Sequence, residues 1–271
     1  MKFRVLVIVF NVVIVASFAV IFMMPMLILG WENAGVFWAR NWPFGVAFAA
    51  ILIGLNAYFV HNWKVFTLLE QEAWDELIAY LEDEVMNRRR FGSQRVKILI
   101  NAYILRAGTD KIQALETFLR ERRPRLVPRF SLELGIPYLT SQDPAAMEKF
   151  FGEMKQSPRC SRPLWVRWNY AFALMLQSRG DEARGVLSAV MTETRDPLQQ
   201  LLSAYLLNTY APDDEDVAGL VERVRSGLAS RSNREAFSRF VERHRDNVQV
   251  LILSQLIRDA LDWLFGGSEG E

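Results

Sequence analysis

The chain has 271 residues, 32 basic and 31 acidic, for a formal charge of +1, so bulk electrostatics selects no polyanionic or polycationic partner. A single cysteine excludes an intramolecular disulfide and suits a reducing compartment. Hydrophobic residues make up 51% of the chain, more than a polar, disordered sequence would carry, and they are concentrated near its start.

Residues 5–29 form an apolar run that no charge interrupts. As a helix it rises about 37 Å, against a hydrocarbon core of about 30 Å, and tilting absorbs the excess. A second run, 44–60, rises about 26 Å. Trp42 and Trp63 bracket that run at a separation suited to two interfaces, and Trp31 closes the first. Trp31, Trp42 and Trp63 are therefore read as membrane-interface residues. Residues 1–64 are expected to form a transmembrane hairpin with a tight turn between the runs. A cleaved signal peptide is the rival reading of the first run. Its length exceeds that of a signal core, and Gly30-Trp31-Glu32-Asn33 offers no small-x-small cleavage site. Lys2 and Arg4 precede the first run; Lys64, Arg88, Arg89 and Arg90 follow the second. Arg40 in the turn is opposed by Glu32. The positive-inside rule then places both termini and the body in the cytoplasm, with the chain multi-pass in the plasma (inner) membrane. Asn11 and Asn56 either satisfy themselves, each near a helix end, or pair, across the hairpin or with another copy. The first reading is favoured, because interhelical hydrogen bonds in membranes contribute little.

Beyond residue 64 strand signals are scarce and helical periodicity is strong. Trp74, Leu77, Ile78, Leu81 and Val85 share a face, as do Val96, Leu99, Ile100, Tyr103 and Ile104. Turns centre near Gly108, Gln142, Gly180 and Asp213, at intervals of 34, 38 and 33 residues. Ala114, Ala146, Ala183 and Ala218 open the helix after each turn, and Pro124, Pro158, Pro197 and Pro212 lie near helix exits. Periods near 34 with this punctuation describe stacked helical hairpins.

The stretch Trp165-Val-Arg-Trp168-Asn-Tyr-Ala-Phe-Ala173, with Gly180-Asp181-Glu182-Ala183, Leu187 and Pro197, resembles the tetratricopeptide repeat family. Asn101-Ala102-Tyr103 through Gly108, Ala114, Leu115 and Phe118 gives a second match. The likeness covers about residues 70–230. It departs at the turn before Gly180, which is two residues short, and at 125–157, which matches only in its second helix. The expected fold is all-α: a two-helix transmembrane hairpin (1–64), a tetratricopeptide-like α-solenoid (65–232) and C-terminal capping helices with a tail (233–271). The C-terminal apolar stretch either covers the last open face of the solenoid or lies on the membrane, and the cap is preferred.

No catalytic constellation emerges. His61 and His244 have no partners at motif spacing, and no phosphate-cradling glycine loop or zinc motif is present. Asp213-Asp214-Glu215-Asp216 lacks calcium-loop spacing and reads as acids at a helix start. No enzyme activity, cofactor or metal is expected. Arginine clusters are the remaining candidates: Arg88, Arg89 and Arg90, with Arg122, Arg123 and Arg125. Between 68 and 84 there are seven acids and no base; between 86 and 129 there are twelve bases and three acids. The clusters are read as contacts to anionic lipid headgroups or a partner, as internal pairs to the acidic stretch, or as a solvated face. Nucleic acid ranks last, since no aromatic interleaving accompanies the bases.

These features describe a membrane-anchored scaffold or adaptor whose repeats hold unidentified, membrane-associated protein partners beside the lipid bilayer; self-association into homo-oligomers fits the same reading. The family resemblance implies service in a larger envelope complex, such as a flagellar motor or secretion machine. The alternative is a pore or transporter accessory subunit in which the hairpin oligomerises and the body regulates. Absent intramembrane charge argues against an ion path.

Overall fold

The structure is a computed structural model that describes residues 3–210, 214–244 and 248–266, apart from the side chains of 3, 4, 25, 29, 31–34, 216 and 248. Every regular element among them is helical, and helices pack largely on their sequence neighbours. The chain divides into two compact units, Met1–Glu84 and Val85–Glu271.

In the first unit the helical run Phe3–His61 breaks at Gly30, whose backbone (φ 74, ψ 166) suits glycine because it has no Cβ. On either side lie Val5–Ile28 (α1) and Gly35–His61 (α2), each long and apolar enough to cross a membrane and almost wholly exposed. The rings pair in antiparallel order: Phe22 on Trp38 at 3.7 Å, Phe18 on Phe48 at 3.9 Å, and Phe10 on Phe59 at 6.3 Å. Asn56 Nδ2 donates to Asn11 Oδ1 at 2.7 Å. Each asparagine also donates to the carbonyl four residues before it, Asn11 to Val7 and Asn56 to Leu52. The two expectations thus hold together: each asparagine bonds to its own helix, and the two also pair across the hairpin. An amide has two donor hydrogens and an acceptor oxygen, so a bond to its own helix leaves capacity for the other.

The segment between the apolar runs also differs from the expected tight turn. Helix α2 begins well before residue 44 and carries Trp38, Arg40 and Trp42 within it. Polar side chains end an apolar run without ending a helix; Asn41 Nδ2 donates back to Phe37 O at 2.8 Å. Two short helices follow, Trp63–Glu70 (α3) and Trp74–Glu82 (α4). Phe66 of α3 meets Phe59 and Tyr58, and Lys64 Nζ lies 4.4 Å from the Tyr80 ring centre.

A π-helical turn, Asp83–Asn87, leads into the second unit. Its helices come in pairs: Ser93–Leu105 (α5) with Thr109–Arg122 (α6), and Ser131–Leu134 (α7) and Ile136–Thr140 (α8) with Pro144–Met154 (α9). Pro163–Leu176 (α10) pairs with Gly180–Glu193 (α11), and Pro197–Tyr210 (α12) with Glu215–Arg231 (α13). Each pair packs on its neighbours. The α10–α11 pair shows why these residues fold this way. Trp168, Ala173, Ala183 and Leu187 are all fully buried, so the small residues admit the ring and the leucine between helices. Pro197 opens α12, where its missing N–H costs nothing.

Only Ala183 among the four helix-opening alanines is fully buried; Ala114 and Ala218 are exposed. On α6 the buried stripe is Ile112, Leu115, Glu116 and Leu119 instead. The poorly matching unit has a physical cause. Pro124, Pro128 and Pro137 punctuate its first half, which breaks into the 3-10 turns Pro124–Leu126 and Pro128–Phe130 and then α7 and α8. Gly135 joins α7 to α8 where a Cβ would sit 2.5 Å from the Phe151 ring and 2.8 Å from the Ser131 carbonyl oxygen.

The last helices are Arg234–Arg243 (α14), Val248–Ile252 (α15) and Ser254–Phe265 (α16). Helix α15 packs on α7, and Asn169 of α10 donates to Gln249 at 3.1 Å in full burial. Helix α16 packs on α12 and α13, burying Ile257, Ala260, Leu261 and Leu264. Trp263 lies between Tyr205 (6.0 Å) and the Arg225 guanidinium (5.2 Å). The segment therefore touches the first helices of three successive pairs, α7, α10 and α12, and also α13.

Candidate functional site

One of the sequence's arginine clusters gathers at an aromatic ring, and the other immediately precedes that ring in the chain. Residues 88–90 are exposed and run directly into Phe91, with Arg89 in a left-handed conformation (φ 55). Phe91 stacks on Phe118 of α6 at 5.9 Å. Helix α6 stops at Arg122 because Pro124 restricts the residue before it. Arg122, Arg123 and Arg125 thus leave the helix C-terminus, where the backbone dipole favours cations. The Arg123 guanidinium lies 5.0 Å from the Phe91 ring centre. Phe91, Arg122, Arg123, Pro124, Arg125 and Leu126 line a cleft of about 510 Å³ that contains no acidic side chain among the described residues. Arg122, Arg123 and Arg125 are exposed and make no ion pair among the described residues.

Neighbouring Arg120 is spent differently. Its Nε donates to Glu116 at 2.6 Å and its Nη1 to Glu153 at 2.6 Å. Burial alone would lower its pKa, but the bonds from Glu153 and Glu116 outweigh it and hold the guanidinium charge more firmly than usual. Tyr138 donates to Glu116 at 2.7 Å, and its phenol is pushed up to about 12, first by burial and then by that bond. Glu116 is only 3% exposed, so this network ties α6, α8 and α9 together as structure. Sequence reading missed it, although Glu116 stands four residues after Ile112 and three before Leu119, on the buried face. A second network joins α9 to the α10–α11 turn. Glu148 accepts from Gln177 at 2.8 Å and from Arg179 at 2.7 Å, and these two bonds, Gln177 first, outweigh burial and lower its pKa.

Of the expected interface tryptophans, Trp42 is 61% exposed on α2 and Trp63 is half-buried at the start of α3. The Trp31 side chain lies outside the described residues. Trp38, which the sequence reading left without a role, stacks on Phe22 across the hairpin. In the acidic run, Asp214 accepts from Val217 N at 3.2 Å as the N-cap of α13 and pairs with Arg184; Asp213 and the Asp216 side chain lie outside the described residues.

The profile of a family described as "Uncharacterised Treponema protein" matches residues 111–266, more than half of the chain. The chain belongs to this family. A relative from Treponema pallidum (strain Nichols), described as an "Uncharacterized protein", is 27% identical over 281 aligned positions. The alignment covers 98% of this chain and 88% of the relative, so it runs through both units. No solved structure matches. The Treponema family region takes in Arg122, Arg123 and Arg125, the helix pairs after them and the returning segment α15–α16.

Proposed function

We propose that this protein is a membrane-anchored helical scaffold. Its hairpin α1–α2 spans the bilayer, and its second unit is a tetratricopeptide-like stack that holds membrane-associated protein partners. The observation that carries the reading is the hairpin's inverted polarity. Its outward side chains are apolar, while its one asparagine pair is turned inward. Water penalises such a surface and hydrocarbon does not. The charge bias of the flanking segments puts the second unit in the cytoplasm. The cleft around Phe91 then offers unpaired guanidinium groups to anionic headgroups or to acidic side chains of a partner, at about 1 kcal/mol per base near an anionic surface.

The returning segment limits where a partner docks. Residues 249–264 already cover parts of α7, α10 and α12, so partner contact falls to the outer helices and the basic cleft.

Crosslinking in intact membranes, with captured proteins identified by mass, tests the scaffold. Three chains are compared: the native one, R122Q/R123Q/R125Q, and one whose hairpin is replaced by an unrelated two-span hairpin. The scaffold reading expects the same captured proteins with the foreign hairpin and weaker capture with the triple variant. Loss of every partner on exchange of the hairpin, with the body still folded, overturns it in favour of a hairpin that oligomerises into a pore or transporter accessory.

A further inference from the structure

A second cavity, of about 590 Å³, lies between the start of α12, the end of α13 and helix α14. It falls within the size range of small-molecule sites, roughly 300–1,000 Å³. Pro197, Leu228, Ala236, Phe237 and Phe240 supply its apolar walls, and Leu228 and Phe237 are buried there. Phe237 and Phe240 meet edge to face at 5.9 Å, and Phe240 is backed by the His244 ring at 4.3 Å, so the aromatic wall is held in place.

The polar lining divides in two. Thr194 donates to Gln199 at 2.7 Å, Gln200 donates to the Thr194 carbonyl at 3.0 Å, and Ser232 donates to the Asn233 carbonyl at 3.3 Å. Those groups are satisfied within the protein. Arg195, Arg231 and Arg243 keep guanidinium donors in reserve, although Arg243 Nε donates to the Arg239 carbonyl at 3.3 Å. They come from three separate places in the chain, all three line the cavity, and none forms an ion pair among the described residues. Among the described residues the lining contains no acid. Asp196, next to Arg195, is turned to other work, accepting from Leu198 N at 3.0 Å and from Trp165 Nε1 at 3.3 Å.

Three guanidinium groups with no ion pair among the described residues, set around an aromatic and aliphatic wall, are complementary to one chemistry, a negative head on an apolar body. We propose that this cavity binds a single-chain anionic amphiphile, its carboxylate or phosphate held by Arg195, Arg231 and Arg243 and its acyl chain laid against Leu228, Phe237 and Phe240. Guanidinium groups suit both heads because their paired N–H donors match the spacing of carboxylate and phosphate oxygens. Such a site stands whether or not the hairpin spans a bilayer.

Calorimetric titration of the full chain in an uncharged amphipol tests it, with empty amphipol as the blank. The probes are sodium octanoate and octyl phosphate, with inorganic phosphate and octyltrimethylammonium as controls. Both anionic octyl probes are expected to saturate at one per chain, and neither control is. R195Q/R231Q/R243Q should weaken binding at least tenfold. A236W, which fills the cavity and keeps every arginine, should abolish it, with helix content by circular dichroism confirming that both variants fold. Unchanged affinity in the triple glutamine variant, or equal binding of the cationic octyl probe, overturns the proposal. So does saturable binding of a leucine-ended peptide carboxylate where octanoate fails, which would make the cavity a reader of peptide C-termini.

Discussion

The hairpin and the helical body distribute their apolar side chains in opposite ways on the same secondary structure. In the hairpin, Ile51, Ile53 and Val60 face outward and the Asn11–Asn56 bond faces inward. In the helical body, Leu99, Trp168 and Leu201 are buried and the arginines at 88–90 and 122–125 face outward. A helix carries no preference of its own for inside or outside. The side chains set that preference, and the hairpin and the body set it in opposite directions.

The comparison is broken most severely by emptying the body's core. Trp168→Ala removes a fully buried ring between α10 and its neighbours and should cost about 3–5 kcal/mol, read as a drop in the unfolding midpoint. Ile53→Ala, outward on α2, should leave that midpoint unchanged. A charge at the same position sharpens the contrast from the other side. Ile53→Arg should cost about 2.5–3.5 kcal/mol of insertion if α2 lies in hydrocarbon, seen as chain released from membranes by alkaline extraction. Full retention of the arginine variant would mean that this face never met lipid.

A smaller effect is expected at the returning segment. Gln249→Ala leaves the buried Asn169 amide without its partner and should cost about 1–3 kcal/mol of body stability in urea unfolding. The smallest effects are set by pH and are confined to the body. Tyr138 has a raised pKa, so its contribution is whole below the ordinary value of 10.0 and is lost as pH climbs through about 12. Tyr138→Phe should remove that alkaline step. Glu148 has a lowered pKa, so its contribution is whole above the ordinary 4.5 and fades as pH falls below it; Glu148→Gln should flatten that acid limb.

Much of this architecture was legible in the residues, and the gaps share a cause. Runs of apolar side chains announced two long helices, and the Trp168–Ala173–Ala183–Leu187 pattern announced a tightly packed pair. Both signals are local. The Asn11–Asn56 bond needed the register between two helices, which periodicity does not contain. Apolar spacing in 248–264 marked a face to be buried but not that it would lie on α7, α10 and α12. The clustered arginines at 122–125 were visible; Phe91, the ring they gather around, was not. Arg195, Arg231 and Arg243 are scattered through the sequence, and only the folding of α14 beside α12 and α13 makes them neighbours.

The bond from Asn169 to Gln249 spans 80 positions of chain. During synthesis, helices α7, α10 and α12 emerge well before the stretch that shields them, so their greasy side faces water until translation reaches residue 264. Contacts of such long range are slow to close, and a nascent body in that interval is exposed to misassociation. A stop anywhere between 244 and 256 should therefore yield a protein that is helical yet sticky, one that depends on chaperones for its survival.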